Sequence, residues 1–557
     1  MRPEVWFAGG ESQLWRAEGR QHRAMARWNP RQTYTQVEEW LMGRLGRTRK
    51  RFAFLRAQRH ELFDDALQTE RESRYRETGA GKPPVPPALL AMVTLLPAYL
   101  KVSDGEAVEL RVRDRRWQLV LDCVEATEPP FSQGAVGEFR GRLIRTDRDR
   151  RLLERTVAVA RRSKAFDARK LPKTLRVAFD ASALEGAGRG EDTRNLLGQA
   201  ARKLVTCVAG LLGRTVETVA RQGGRPVLLA PSVKAGLDVE WTDPHAPAEA
   251  LQQLVEQLAA LEAWVPQHLA EALTQAPLQE HVATLHHLQA QHVEPQAKGQ
   301  GVRLRQGVAP ERQCSIEDPA MRPGRKSKHK RFNGSKRHVA TALDADLILA
   351  CAVPPANHPE DEAAAPLQAD MERQEGGPIA ELSIDRGSLS SPVVPAVRKA
   401  GGTVICRPWG VTRGERFSKL DFHFDLRAKT LTCPGGQTES FRLGTTVEFP
   451  AAQCDACPLR AQCTTAALGH GRTVSMGEDE PFQHRLRQRA ATRAGRAQLR
   501  QRVAVEHRLA HLGARQGRRA RYKGVRKNLF DVRRTAAVLN LETFQRITEE
   551  QELRKAA

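Results

Sequence analysis

The chain has 557 residues, of which 40% are hydrophobic and 28% charged, and this composition excludes both an integral membrane protein and a disordered tail. Lysine and arginine exceed the acids by 24 charges, more than solubility requires. This excess indicates a polyanionic partner, and nucleic acid fits better than a membrane surface because the charge is not confined to one amphipathic helix.

Targeting and cysteine signals place the chain in a reducing compartment. The longest apolar run, Ala88–Leu100, is broken by Pro97 and is shorter than the roughly 20 residues of a membrane span. Four of the nine cysteines lie within 31 residues, which indicates a metal site rather than a disulfide framework. We therefore expect a cytoplasmic protein with no membrane partner.

Residues 1 to about 170 are predicted to form a basic helical domain. Ser103 and Glu106 have the spacing of a helix-capping box, and a further helix is predicted from Gln133 to Leu143. Such a domain commonly binds DNA, although a helical bundle with solvated arginines has the same pattern.

From Leu171 the pattern changes to alternating strands and helices. The run LRVAFDAS (175–182) predicts a strand, and Asp192 or Thr193 would cap the helix after it. Leucines at helical spacing predict a helical insertion at about 225–315 that serves as scaffold: Leu251, Leu254, Leu258 and Leu261.

The second half of the chain continues this alternation. Residues 331–353 predict two strands around a turn at 344–346, and residues 379–408 predict strand, helix and strand, so an α/β layer is expected. A small β module at 415–475 follows, and basic helices run from about 483 to 541.

Three acids are candidates for metal chemistry. Asp180 and Asp385 each end an apolar strand, where ligands of α/β sheets collect, and carboxylates suit Mg²⁺ or Mn²⁺. Glu506 stands in a segment, residues 485–534, with seventeen Lys and Arg and two acids, a net charge of +15. Each acid alone could instead be a surface charge or a helix cap, and Glu506 could pair with Arg502 one turn earlier.

The ordered runs VAFDAS, KRFNGSKRHVATALD, SIDRG and RVAVEHRLAHLGARQGRRARYKGVRKNLFDVRRTAAVLNL resemble the DDE transposases of bacterial insertion sequences. The last run is the most specific, with Arg502 four residues before Glu506, a basic loop at 521–524 and a helix ending in Asn540–Leu541. The resemblance implies that Asp180, Asp385 and Glu506 are the catalytic acids. Asp344 and Asp346 are the next candidates.

The resemblance also implies the fold and the division of the chain. We expect a ribonuclease-H-like α/β core with a mixed sheet, a helical N-terminal domain, a helical insertion and a small β insertion that binds zinc. The expected limits are 1–170 for the helical DNA-binding domain, 171–414 for the first part of the core, 415–480 for the zinc insertion and 481–545 for the basic helices that complete the core.

The implied activity is that of a DNA transposase that cuts element ends and joins them to target DNA. Two Mg²⁺ or Mn²⁺ ions held by the three acids would activate a water, and later a 3′-hydroxyl. The expected partners are double-stranded DNA and a second copy of the chain on that DNA, near the bacterial nucleoid. The cations expected to hold phosphates are Lys336, Arg337, His338, Arg502, Arg515, Arg518, Arg519, Arg521, Lys523, Arg526 and Lys527.

The cysteine cluster predicts one structural zinc ion. Cys433, Cys454, Cys457 and Cys463 have the spacing C-x20-C-x2-C-x5-C, and soft thiolates with a close pair favour tetrahedral Zn²⁺. Four protein ligands would leave no open coordination position, so the ion would have no catalytic role. Free thiols without metal are the alternative.

Two other functions share these features. A domesticated, non-catalytic regulator would keep the charge and the zinc but would not need all three acids. A plain metal-dependent nuclease would keep the acids but would not transfer strands. The presence of all three acids favours the transposase.

Overall fold

The computed structural model describes residues 27–46, 49–72, 84–163, 166, 174–223, 226–237, 239–296, 301–306, 311–326, 329–374, 377–411 and 414–556. The predicted boundary at 170–171 and the first 26 residues lie outside these ranges. The described chain is a mixed α/β protein, as predicted, and contains one large mixed sheet.

The N-terminal region is helical, as the sequence predicts. Ser103 caps α5 by accepting the backbone N–H of Glu106, and α7 begins at the predicted residue. The helices are α1 (Gln36–Arg44), α2 (Arg49–Leu62), α3 (Asp65–Glu72), α4 (Pro87–Leu100), α5 (Asp104–Arg113), α6 (Arg115–Leu121), α7 (Gln133–Arg145) and α8 (Arg150–Arg162).

No single helix within the described ranges is long and apolar enough to cross a membrane. Pro87–Leu100 and Gly105–Arg113 meet the length and composition test only as a pair, and they are bent by 101° relative to each other.

After the long strand β1 (Leu175–Glu185), a group of helices forms its own hydrophobic core. Asp192 caps the first of them by accepting the backbone N–H groups of Arg194 and Asn195. The elements are α9 (Thr193–Leu212), α10 (Val216–Gln222), α11 (Val233–Gly236), α12 (Ala246–Leu269), α13 (Leu278–His292) and the short hairpin β2 (Val293–Pro295) and β3 (Val302–Leu304). The predicted leucines of α12 are buried in this core.

The chain then returns to the large sheet. Its further strands are β4 (Arg322–Arg325), β5 (Arg331–Ala342), β6 (Leu347–Ala352), β7 (Ile379–Ser383) and β8 (Thr403–Ile405), with helices α14 (Ala364–Glu372) and α15 (Val393–Lys399) between them. β1 pairs antiparallel with β5 and parallel with β7; β5 pairs antiparallel with β6 and β4, and β7 pairs parallel with β8. β1 therefore lies in the middle, which places its residues next to both halves of the sheet.

The cysteine module has a small core of its own, built around Phe422, Phe449 and Leu431. Its elements are β9 (His423–Asp425), β10 (Thr430–Thr432), β11 (Thr438–Ser440), β12 (Thr446–Glu448), α16 (Ala451–Asp455), α17 (Arg460–Cys463) and β13 (Thr473–Ser475). The short antiparallel strands of this region agree with the predicted small β module.

Four helices close the chain: α18 (Glu480–Ala491), α19 (Arg493–Gln501), α20 (Val503–Gln516) and α21 (Val525–Ala556). α20 packs on β1 and β5, and α21 packs on β6 and on the N-terminal helices α4 and α8. Asn540 of α21 exchanges hydrogen bonds with the backbone of Ile348 in β6, at 2.8 and 2.9 Å, and donates to Thr156 of α8 at 3.2 Å. One buried amide thus joins the sheet, α8 and α21, and these elements share one hydrophobic core.

Candidate active site

Two of the three predicted catalytic acids lie side by side on neighbouring parallel strands. Asp385 follows the end of β7, as predicted, but Asp180 lies within β1, which continues to Glu185, so the expectation that Asp180 ends its strand is wrong. Ala178 of β1 pairs with Ser383 of β7, and Asp180 and Asp385 each follow two residues later. Because paired parallel strands advance together, the same offset brings both carboxylates to the same edge of the sheet. Both line one cavity.

Local hydrogen bonds fix each of these carboxylates. Asp180 Oδ1 accepts the backbone N–H of Ala181 at 2.9 Å. Asp385 caps a short 3-10 helix over Arg386–Ser388, accepting both the N–H and the hydroxyl of Ser388 at 3.2 Å. The turn after β7 therefore holds the Asp385 side chain at the strand end.

Glu506, the third predicted acid, reaches Asp180 through Arg502. Arg502 Nη2 donates to Glu506 Oε1 at 2.7 Å, and Arg502 Nη1 lies 3.1 Å from Asp180 Oδ1. Glu506 lies in the first turn of α20, and its side chain is 47% exposed. The ion pair between Arg502 and Glu506, which the sequence left open as an alternative role for Glu506, is therefore present, and Arg502 contacts Asp180 as well.

The electrostatics reflect carboxylates held close together away from water. Burial raises the pKa of Asp180, Arg502 opposes this effect, and the charge of Asp385 adds to it. These shifts mean that negative charge at this edge is unfavourable unless a cation balances it.

Two further titratable residues, Glu360 and His338, line the same cavity, and sequence reasoning assigned neither of them to it. Glu360 lies in the loop between β6 and α14, where burial and then the charge of Asp385 raise its pKa. His338 of β5 is only 4% exposed, and burial lowers its pKa to about 3, so the imidazole is neutral. Glu360 stands in the acidic run EDE, where no periodicity distinguishes one acid from its neighbours.

The two reserve candidates lie in the β5–β6 turn and have other partners. Asp344 pairs with Arg176, near the start of β1, at 2.8 Å. Asp346 accepts Nε of Arg508 at 2.6 Å. The β5–β6 turn thus lies beside the start of β1, away from Asp180.

Three predicted phosphate-binding residues lie on β5, which is buried over most of its length because α14, α20 and α21 pack against it. Arg337 is 4% exposed and donates to Ser182 Oγ, Gln516 Oε1 and the Gly517 carbonyl. Lys336 donates to the His358 carbonyl at 3.1 Å. The burial of Arg337 and His338 conflicts with a role for either in holding DNA phosphates, since their polar atoms do not face solvent.

Four arginines of the predicted C-terminal cluster are used to join parts of the fold. Arg515 donates to the carbonyls of Ala98 and Tyr99 at 3.3 and 2.7 Å, and Arg521 donates to the Val102 carbonyl at 2.9 Å. Arg519 donates to three carbonyls at 186–188, and Arg526 pairs with Asp149.

The remaining predicted cations face solvent. Arg518 is 77% exposed and pairs with Glu185 at 2.5 Å, Lys523 is 53% exposed and pairs with Glu317 at 3.2 Å, and Lys527 is exposed. Further exposed arginines, which were not singled out from the sequence, lie on α19 directly before Arg502: Arg493, Arg496 and Arg500. Their signal was the absence of acids between residues 485 and 505.

None of the four cysteines of the module forms a disulfide bond, and two of them, Cys433 and Cys457, meet at the turn around Gly435. A Cβ built on Gly435 would lie 3.1 Å from Cys457 Sγ and 3.6 Å from Cys433 Sγ. The backbone N–H of Gln437 donates to Cys433 Sγ at 3.3 Å, and that of Arg472 donates to Cys454 Sγ at 3.4 Å. Cys454 and Cys463 pack against the core of the module.

Neither metal prediction is confirmed by the structure. Within the described ranges, no group of three or more His, Cys, Asp or Glu side chains is arranged to hold a metal ion, whether the predicted zinc or the predicted Mg²⁺ or Mn²⁺. Asp180 and Glu506 contact Arg502 instead of each other. The donor chemistry of the cavity still fits Mg²⁺ or Mn²⁺, because Asp180, Glu360 and Asp385 supply carboxylate oxygens to one space.

Comparison with known proteins adds one family. Residues 432–544 match the family model described as Transposase DDE domain, a stretch that includes the four module cysteines and Glu506 but neither Asp180 nor Asp385. No curated protein and no solved structure matches the chain. The resemblance to DDE transposases is thus supported by an independent match, which covers residues 432–544 and therefore less than half of the chain.

Proposed function

We propose that the chain is a DNA transposase whose active site is formed by Asp180, Asp385 and Glu506. The observation that carries this proposal is the equal register offset of Asp180 and Asp385 on adjacent parallel strands, with Arg502 joining Asp180 to Glu506. The mixed sheet, with its central strand antiparallel to one neighbour and parallel to the other, is consistent with the ribonuclease-H-like core that the family resemblance implies.

The proposed reaction is hydrolysis of a phosphodiester at the element end, followed by attack of the freed 3′-hydroxyl on target DNA. In each step an oxygen nucleophile forms a bond to phosphorus, and the bond to the opposite oxygen breaks. Divalent cations, when bound, would lower the pKa of the attacking group and offset the charge that develops on the phosphate. Asp180 and Asp385 would hold them on β1 and β7, and Glu506 would do so from α20.

Arg502 has a separate part in this proposal. Its guanidinium balances two carboxylates, at 3.1 Å from Asp180 and 2.7 Å from Glu506. A cation on these acids would take over that balancing charge, and the guanidinium could then hold a backbone phosphate. Arg500 and Arg496 continue an exposed basic surface away from this point.

The test uses purified protein, Mg²⁺ and a labelled element end, with products examined for nicking and joining. Asp180→Asn, Asp385→Asn and Glu506→Gln should each abolish cleavage while DNA binding persists, because binding depends on cations elsewhere. Asp344→Asn, in the turn at the far end of β1, is the matched control and should cleave normally. If one of these three variants keeps near-normal cleavage, the acid that it replaces is not part of the active site.

We also propose that the cysteine module holds one structural Zn²⁺. Its support is the pair of thiols around Gly435 and the two backbone N–H groups that donate to sulfur. Metal analysis should find about one zinc per chain, and Cys457→Ser should lose it together with the protease resistance of 415–475, since structural zinc contributes roughly 10–16 kcal/mol in small modules. A zinc-free protein of equal stability would refute this site.

A further inference from the structure

The loop between β6 and α14 carries three consecutive acids, and only one of them lines the active-site cavity. Asp361 accepts the hydroxyl of Ser390 at 2.8 Å, and Glu362 pairs with His358 at 3.0 Å. Glu360 instead lines the cavity together with Asp180 and Asp385. The loop thus separates two acids with surface partners from one that faces the catalytic acids.

The turn after Asp385 has no side chain where Glu360 approaches it. A Cβ built on Gly387 would lie 2.8 Å from Oε2 of Glu360 and 3.5 Å from Oδ1 of Asp385. The absence of a side chain at Gly387 therefore leaves the two carboxylates facing the same small space. Within the described residues, the cation that pairs with Glu360 is Lys336, at 3.7 Å.

A second, independent observation indicates that this space takes a ligand. His338 lines the same cavity and is 4% exposed, and its Nε2 has no hydrogen-bond partner. A buried polar atom left unpaired is costly, by about 1–3 kcal/mol, so it commonly marks a place where a bound species completes the hydrogen bonding. A neutral imidazole nitrogen can accept a hydrogen bond from a water molecule that is held by a cation.

We propose that Glu360 is a fourth acidic residue of the active site, which binds a divalent cation together with Asp385, and that His338 forms the wall of this cation site. The inference rests on the proposed function, because it assigns the site on Asp385 to the same cations. It adds a ligand from the loop between β6 and α14. Arg502 contacts Asp180 and Glu506, whereas Glu360 approaches Asp385 at Gly387, and His338 lies opposite Ala181 in the pairing of β1 with β5.

An ion pair with Lys336 is the competing explanation for Glu360. That pair spans 3.7 Å, and the Glu360 side chain is 31% exposed, so its expected contribution is small. Lys336 and Arg502 together supply two positive charges against the three carboxylates that line the cavity, and Arg502 also pairs with Glu506. Lys336→Met separates the two explanations, since loss of a structural partner should not weaken cation binding through Glu360.

The test measures Mn²⁺ binding to the DNA-free, full-length protein by electron paramagnetic resonance, alongside circular dichroism and thermal melting. Glu360→Gln should weaken Mn²⁺ binding about tenfold or more, in the range seen when groups around a metal site are removed. Glu362→Gln, two residues away with its surface partner, should bind within about twofold of the parent. Gly387→Ala should also weaken binding, because the new methyl group enters the space between the carboxylates.

The outcomes distinguish this inference from the proposed function. If Asp385→Asn loses Mn²⁺ while folded Glu360→Gln and Gly387→Ala both bind it normally, the fourth acid is refuted and the transposase site stands. If Asp385→Asn also binds Mn²⁺ normally, the proposed active site itself fails and Glu360 fails with it. Should Glu360→Gln not fold, Gly387→Ala decides, because its φ is not in the left-handed region and the backbone accepts alanine.

Discussion

The arginines of α19 and those at the start of α21 belong to the same basic segment but have opposite environments. Arg493, Arg496 and Arg500 are exposed on α19. Arg533 and Arg534 on α21 are 4% and 2% exposed and lie among acids: Asp147, Asp149, Asp370 and Asp531. A run of positive charge therefore contains two populations, one that can meet DNA and one that joins the N-terminal helices to the sheet.

The difference comes from where the acids lie in the folded chain rather than in the sequence. The segment 485–534 has two acids of its own, yet Arg533 meets three carboxylates from other parts of the chain. A count of local charge overstates the number of available cations, because distant carboxylates are brought to some of them by folding. Burial and pairing, rather than net charge, decide which arginines can bind phosphate.

Arg533→Ala should produce the largest effect and act only on stability. It would leave Asp149, which is 1% exposed, and Asp370 with less balancing charge in the interior. Removing one partner of a buried charge network typically lowers the free energy of unfolding by about 3–5 kcal/mol. Urea denaturation measures this, with Arg546→Ala as the control, because that side chain is 53% exposed on the same helix. A loss below about 1 kcal/mol would contradict the division between buried and exposed arginines.

Replacing Arg493 and Arg496 by glutamine should act on DNA binding alone. Both side chains are exposed, so the unfolding free energy should stay within about 0.5 kcal/mol of the parent. If both contact phosphates, the slope of log affinity against log salt should fall by about 1.8, from roughly 0.9 per contact. Fluorescence anisotropy over a salt series gives the slope, and the change should be equal for random DNA and element ends. An unchanged slope would show that bound DNA does not contact these two side chains of α19.

The sequence predicts the elements of this fold well where the pattern is local. The cap at Asp192, the helix from Gln133 and the turn between β5 and β6 all follow from short-range rules, and the structure confirms them. Asp385 is equally local, since the end of its strand suffices to find it, whereas Asp180 lies within β1, which continues to Glu185. Whether these residues do the predicted chemistry is a separate matter that cleavage assays address.

Two features of the site could not be predicted from the sequence, because they depend on contacts between segments that are far apart in the chain. KRH at 336–338 has the appearance of a basic surface strand, but helices cover β5, and two of the three side chains are buried. Glu360 could not be separated from Asp361 and Glu362, because only the approach of the loop to Asp385 distinguishes it. In both cases the deciding contact joins segments far apart in sequence.

Arg521 and Lys523 provide the finest test of the comparison, since they are two residues apart and have different partners. Arg521 donates to the Val102 carbonyl at 2.9 Å, so Arg521→Gln should lower the unfolding free energy by about 1 kcal/mol and leave the salt slope unchanged. Lys523 is 53% exposed beside Glu317, so Lys523→Gln should leave stability unchanged and lower the slope by about 0.9 if it contacts a phosphate. Each variant should therefore change one of the two measurements and leave the other unchanged: Arg521→Gln changes the stability, and Lys523→Gln changes the salt slope. If Arg521→Gln changed the slope and Lys523→Gln the stability, contacts within the cation-rich loop would not predict which residues reach DNA.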